Sequence, residues 1–213
     1  MPQLSGWVIE SEYLPAREVG GDFFQVITDQ HDGGLLIVGG DVTGKGLQAG
    51  MLVAMLVGAI RSESAHTADP VRILDALNPR LHGRTQVQAT CLALRIAANG
   101  DAHLANAGHL PPYLNGEPLE IEGSLPLGMI ESAQPSVMEF HLKLHDRLVL
   151  VSDGIVEATN ANGALFGFER LQSLLRTAKS ADEVASAAQS FGQEDDITVI
   201  AVTHTGVPQP GSA

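Results

Sequence analysis

Apolar and polar residues alternate with a period of two at the start of the chain. Val8, Glu10 and Glu12 oppose Ile9, Ser11 and Tyr13, the signature of a strand with one face on a core. The same reading predicts further strands at about 23–28, 35–40, 87–96, 102–107, 137–143, 147–151 and 197–203. Asn99-Gly100 lies between two of these runs and predicts a tight hairpin, so the pairing should be antiparallel. Longer apolar stretches predict four helices. The first, from about Leu47 to Ser64, runs Met51 to Val57 without a charge and is expected to be covered by protein all round. The second opens with Asp69 as N-cap and Pro70 at the first helical position, where the missing N–H costs nothing. The third spans about 168–177, and the fourth opens with Ser180-Ala-Asp-Glu183, a capping box. Antiparallel strands with helices in pairs predict an α+β fold, a sandwich of two sheets flanked by helices.

At 213 residues the chain holds one compact domain with a substantial core. We expect that domain to span residues 1–205, with the Pro- and Gly-rich tail 206–213 disordered. A formal net charge of −13 argues against a nucleic-acid or anionic-membrane surface, because both need clustered Lys and Arg. Cys91 is the single cysteine. No intrachain disulfide can form, its apolar neighbours mark it as a small buried hydrophobe, and a reducing cytoplasm is the expected setting. The N-terminus lacks a basic-then-apolar leader pattern, and the uncharged apolar stretch 46–60 is too short to span a bilayer. The abrupt start suggests a domain attached to something longer.

Four acidic positions stand where strands meet loops: Asp22, Asp41, Asp153 and the pair Asp195-Asp196. Three of these sites adjoin runs of aliphatic residues, and Lys plus Arg total only 12. Carboxylates near a core are costly without a partner. A divalent cation would neutralise such a cluster, and oxygen-only ligation suits Mg²⁺ or Mn²⁺ better than Zn²⁺. Gly20, Gly21, Gly40 and Gly154 adjoin these acids and would allow close backbone approach or positive φ. Each Asp-Gly site taken alone also reads as ordinary turn chemistry.

Taken in order, the segments carry more. They are Pro15-Ala-Arg-Glu-Val-Gly-Gly-Asp22-Phe-Phe, Asp41-Val-Thr-Gly-Lys-Gly-Leu-Gln-Ala49, Ala105-Asn-Ala-Gly-His109-Leu-Pro-Pro112, Pro126-Leu-Gly128, Ser152-Asp153-Gly-Ile-Val-Glu157, Leu165-Phe-Gly167 and Asp195-Asp-Ile-Thr-Val. Together they resemble the type 2C, or PPM, metal-dependent protein phosphatase superfamily in its bacterial SpoIIE/RsbU-like branch. The resemblance covers about 6–203. It implies a central β-sandwich with helices on both sides and a centre of two Mn²⁺ or Mg²⁺ ions at one end. Carried over by position, Asp41 would bridge both metals with help from the Val42 carbonyl. Asp22 would serve one metal, and Asp153 and Asp195 the other, with Asp196 the less favoured neighbour. Such a centre lowers the pKa of a shared water for attack on phosphorus, without a covalent protein nucleophile. The branch further implies a phosphoserine or phosphothreonine substrate on a STAS-domain anti-anti-sigma factor in a partner-switching pathway.

Departures from the family pattern are a short approach at 85–90, His145-Asp146 where Gly-Asp is usual, and Gln25 in place of a common Asp. They bear on loop geometry and substrate docking, and none removes a metal ligand. Arg17 lies five residues before Asp22, where relatives place a phosphate-binding Arg, and it otherwise reads as a surface arginine. His109 reads as a general-acid candidate or as part of a structural turn, and Lys45 as a solvated or capping group. Two other functions compete. A catalytically silent binding module would have no reason to keep four acids. A nucleotide-binding loop at Gly39–Gly46 lacks the closing Ser/Thr hydroxyl and places Asp41 against phosphates.

Overall fold

The computed structural model describes residues 4–29, 33–44, 46–84 and 87–206. Lys45, Thr85, Gln86 and the tail from residue 207 lie outside the described residues, and with them the expectations placed there.

The chain folds in the order β1 (Trp7–Leu14), β2 (Asp22–Thr28), β3 (Leu35–Val42), α1 (Leu47–Ser64), α2 (Pro70–Leu81), β4 (Ala89–Ile96), β5 (Asp101–Ala107), β6 (Tyr113–Leu114), β7 (Glu117–Pro118), β8 (Ser136–His141), β9 (Arg147–Val151), α3 (Gly167–Leu175), α4 (Ala181–Gly192) and β10 (Ile197–His204). One sheet runs β1-β10-β9-β6-β7 and the other β2-β3-β4-β5-β8. Every pairing within them is antiparallel.

Period-two patterning explains the layers. In β3, Leu36 and Val38 join the core under α1 and α2, while Leu35 and Ile37 join the core between the sheets. On the other side Val149, Val151, Val199 and Ala201 meet α3 and α4. Both faces of the central strands are therefore apolar, and the molecule is layered helix, sheet, sheet, helix, as expected for the α+β sandwich. Cys91 is fully buried under the first helix pair.

Local signals behave as physical chemistry demands, with instructive exceptions. Asp69 caps α2 by accepting from Val71 and Arg72 N–H groups at 2.9 and 3.4 Å. Ser180 caps α4 by accepting from the Glu183 N–H, but the Glu183 carboxylate accepts from Lys179 N–H. The box closes one residue earlier than its simplest form. The Asn99-Gly100 hairpin forms, with Gly100 at φ 95 donating to Ala97 O. A second hairpin, β6–β7, was not expected, although Asn115 at φ 53 and Gly116 at φ 85 carry the same turn chemistry. Its two-residue strands are too short to leave a periodic trace. His145 takes φ 71, the left-handed conformation a glycine would adopt at that departure from the family pattern.

One expectation is overturned. α1 is not covered all round: Ala49, Leu52, Leu56, Ala59 and Ile60 are buried, whereas Leu47 is 75% and Met51 66% exposed. The helix packs on α2 and the β2–β3 face from one flank. An unbroken apolar run fixes that a helix is buried somewhere, not on how many sides.

Candidate metal centre

The acidic residues meet at one end of the sandwich. Asp22 opens β2 and Asp41 is the penultimate residue of β3, and the two stand directly opposite in register. Residues opposite on antiparallel strands project to the same face. Asp153 lies two residues past β9, and Asp195-Asp196 directly precede β10. Ser152 ties these last two ends together, since its hydroxyl donates to Asp196 O at 3.1 Å and accepts from Thr198 N–H at 2.9 Å. Asp22, Asp41 and Asp153 each bring a carboxylate oxygen within 4.8 Å of the others.

Burial lifts Asp22 to about 8, and Asp41 and Asp153 add to the rise, against hydrogen bonds from Thr198 and Ser152 that favour the charged form. Asp41 rises to about 7, again chiefly through burial, with the charges of Asp153, Asp195 and Asp196 behind it. Asp153 is pushed up by burial and by Asp195. Three groups whose charges are mutually unfavourable and poorly solvated are what a divalent cation relieves. The donors are all oxygens, which fits a hard cation.

The cleft above them, about 110 Å³, is lined by Arg17, Val19, Gly20, Gly21, Asp41, Val42, Thr43, Gly44, Asp195 and Asp196. Arg17 is exposed on its rim and is the one cation among the described lining residues. Val42 O turns toward Gly21, where an added Cβ would stand 2.9 Å from it and 2.5 Å from Asp41 Oδ1. At Gly20 a Cβ would overlap the Asp196 carboxylate and the Tyr13 hydroxyl. Neither glycine has positive φ, so both serve close approach. Asp196, 4% exposed, accepts from Ala16 N–H at 2.9 Å and from Gly21 N–H at 2.8 Å. Its carboxylate thus pins the loop that carries Arg17. Asp195 borders the cleft and accepts Asp196 N–H at 2.9 Å.

Sequence reasoning missed Thr198, Ser152 and Tyr13. Thr198 Oγ1 donates to Asp22 Oδ2 at 2.6 Å. The Tyr13 phenol, lifted to about 12 by burial and by the charges of Asp196, Asp22 and Asp41, faces the cluster from β1. Thr198 could have been found as the polar residue of Asp195-Asp-Ile-Thr-Val, while Tyr13 leaves no signal beyond strand alternation. The His109 ring does not line the cleft. It lies beneath, with Phe23, Gly40, Ser152 and Thr198, around a space of about 10 Å³ between the sheets, room for about one water.

Two antiparallel sheets, flanking helix pairs and a mouth of carboxylates drawn from separate strand ends define the phosphatase-like sandwich class. The sequence model of the family described as Stage II sporulation protein E (SpoIIE) matches residues 31–205, and the chain belongs to that family. It is similar to the phosphoserine phosphatase RsbU of Bacillus subtilis, 28% identical over 94% of this chain and 64% of RsbU. Among solved structures, the RsbU and RsbW domains of a Mycobacterium tuberculosis protein superpose with a TM-score of 0.78 at 26% identity, over 97% of this chain and 64% of that one. The SiaA-PP2C domain of Pseudomonas aeruginosa gives 0.78 at 22% identity, over 92% and 85%. The chain thus spans just under two thirds of the length of RsbU. Among the described residues, no helix is long and apolar enough to cross a membrane.

Proposed function

We propose that this chain is a metal-dependent protein phosphatase domain that hydrolyses phosphoserine or phosphothreonine on a regulatory protein. The observation that carries the reading is the meeting of Asp22, Asp41 and Asp153 within 4.8 Å, from strand ends far apart in sequence. Asp22, Asp41, Asp153 and Asp195, with the Val42 carbonyl, would hold two Mg²⁺ or Mn²⁺ ions there. Such ions supply charge neutralisation at the phosphoryl group and an acidified water. The chain's own residues do the rest. Thr198 orients Asp22 by its hydrogen bond, and Asp196 holds the Ala16–Asp22 main chain so that Arg17 stands at the rim. From there its guanidinium could clamp phosphoryl oxygens. Asp196 keeps its carboxylate on backbone N–H groups, so Asp195 is the better ligand of the pair.

Similarity to the phosphoserine phosphatase RsbU supports phosphoserine as the residue dephosphorylated, and the family resemblance points to a STAS-domain anti-anti-sigma factor as substrate. Its dephosphorylation would free it to engage a kinase/anti-sigma partner. Hydrolysis of an aryl phosphate across a Mn²⁺ titration, wild type against Asp41→Asn, tests the chemistry. Saturable activation lost in the variant is expected, and equal metal-independent rates would overturn the reading. Offering phosphorylated STAS proteins beside unrelated phosphoproteins tests the substrate: selective release of phosphate from the former is expected.

A further inference from the structure

The segment Asn106 to His109 is built more rigidly than a connecting turn requires. Asn106, 3% exposed, accepts His109 N–H through Oδ1 at 2.9 Å and donates from Nδ2 to His109 O at 2.9 Å. The Ser124 hydroxyl donates to Asn106 O at 2.6 Å and accepts Gly108 N–H at 3.1 Å. Gly108 adopts φ 72, and a Cβ there would stand 2.9 Å from the Pro126 ring. Asn106, Gly108, Ser124 and Pro126 together fix the main chain that carries the His109 imidazole.

That imidazole reaches toward the back of the carboxylate cluster through Thr90. His109 Nδ1 lies 3.0 Å from Thr90 Oγ1, and Thr90 Oγ1 lies 3.4 Å from Asp41 N. Thr90 is the register partner of Asp41 across β3 and β4. Beside it, Val42 N–H goes to Gly21 O and Thr43 N–H to Gln88 O. The Thr90 hydroxyl thus adds a side-chain contact to the main chain at Asp41, on top of the β3–β4 pairing. A threonine hydroxyl rotates freely unless its proton is given a fixed acceptor. With the Asp41 N–H entering as donor, the Thr90 proton is free to go to the ring nitrogen. Burial keeps this imidazole neutral, lowering it to about 4, so Nδ1 can accept.

We propose that His109 is a positioning residue for the metal centre: through Thr90 it fixes the main chain at Asp41 and so sets where that carboxylate stands relative to Asp22 and Asp153. This role, distinct from that of a proton donor to the leaving group, rests on the metal-centre reading above. Outer partners of this kind change metal affinity by about 10- to 100-fold when removed.

The test is direct Mn²⁺ binding, followed by the loss of the free-ion electron paramagnetic resonance signal, for wild type, Thr90→Val, Thr90→Ser, His109→Leu, His109→Asn and the Thr90→Val/His109→Leu double variant. Circular dichroism melts of the metal-free proteins run alongside. Thr90→Val and His109→Leu should each weaken binding about 10- to 100-fold, and the double variant should be no weaker than the worse single one, because both break one chain. Thr90→Ser keeps the hydroxyl and His109→Asn keeps an acceptor near the Nδ1 position, so both should bind within about threefold of wild type. Wild-type affinity in Thr90→Val, or penalties that multiply in the double variant, would overturn the inference. If His109→Leu does not fold, Thr90→Val and the two conservative variants decide. Absence of Mn²⁺ binding by wild type would instead sink the metal-centre reading, and the inference with it.

Discussion

Asp22 and Asp41 hold their protons up to about 8 and about 7 in the metal-free fold, against 3.8 for an unperturbed carboxyl. Between those limits the native state binds more protons than the unfolded chain, so stability must fall as pH rises. Below about 4 both states are protonated and the two groups contribute no slope. In EDTA, chemical denaturation should show the protein losing on the order of 1–3 kcal/mol from pH 5 to pH 8 through these groups. Asp22→Asn should flatten that slope, since an amide can still accept from Thr198 and carries no charge. Gly20 gives a steric counterpart. In Gly20→Ala the new methyl would displace Asp196 or Tyr13, with an expected cost of about 1–3 kcal/mol and loss of the Arg17 loop's anchor. A thermal melt reads the first and Mn²⁺-dependent turnover the second.

At the scale of elements, the caps and the sheet register act at different places. Asp69 closes the N-terminus of α2 far from the carboxylates, so Asp69→Ala should cost about 1 kcal/mol of stability and leave Mn²⁺-dependent turnover unchanged. Comparing melting temperature with kcat checks this separation. Asn78 acts differently within the same helix: it is 2% exposed, donates to Ile130 and Glu131 carbonyls, and accepts Gly128 N–H. One buried amide therefore ties α2 to the segment after Pro126, the same proline that backs Gly108. Register does the functional work in the sheets, since the Asp22 to Asp41 pairing places two carboxylates on one face. A slip of one residue would turn them to opposite faces.

For the whole molecule, folding gathers like charges that repel until a cation binds, so metal and stability are linked. At a free Mn²⁺ concentration of about 100 times Kd, binding should add about 2.7 kcal/mol, or about 5–10 °C in melting temperature for a chain of this size. Melts with and without Mn²⁺ check it, and Asp41→Asn should abolish the shift. The uncovered Leu47 and Met51 belong to this scale as well: α1 is half a core element and half surface, a division set by the sheet beneath it.

The sequence by itself determined the eight longer strands, the four helices and the caps of α2 and α4, because period, caps and turn residues are local properties. Its motifs also singled out Asp22, Asp41, Asp153 and Asp195 as one set, and the structure draws them to one end. Only the tertiary structure decided what surrounds them. Thr198, Ser152, Tyr13 and Thr90 are ordinary strand or strand-end residues in sequence, and each gains its role from a partner between 19 and 176 positions away or from the common mouth they share. The backbone N–H groups that occupy the Asp196 carboxylate, and the one-sided burial of α1, likewise depend on which groups face each residue across space. No pattern along a single chain segment carries that information.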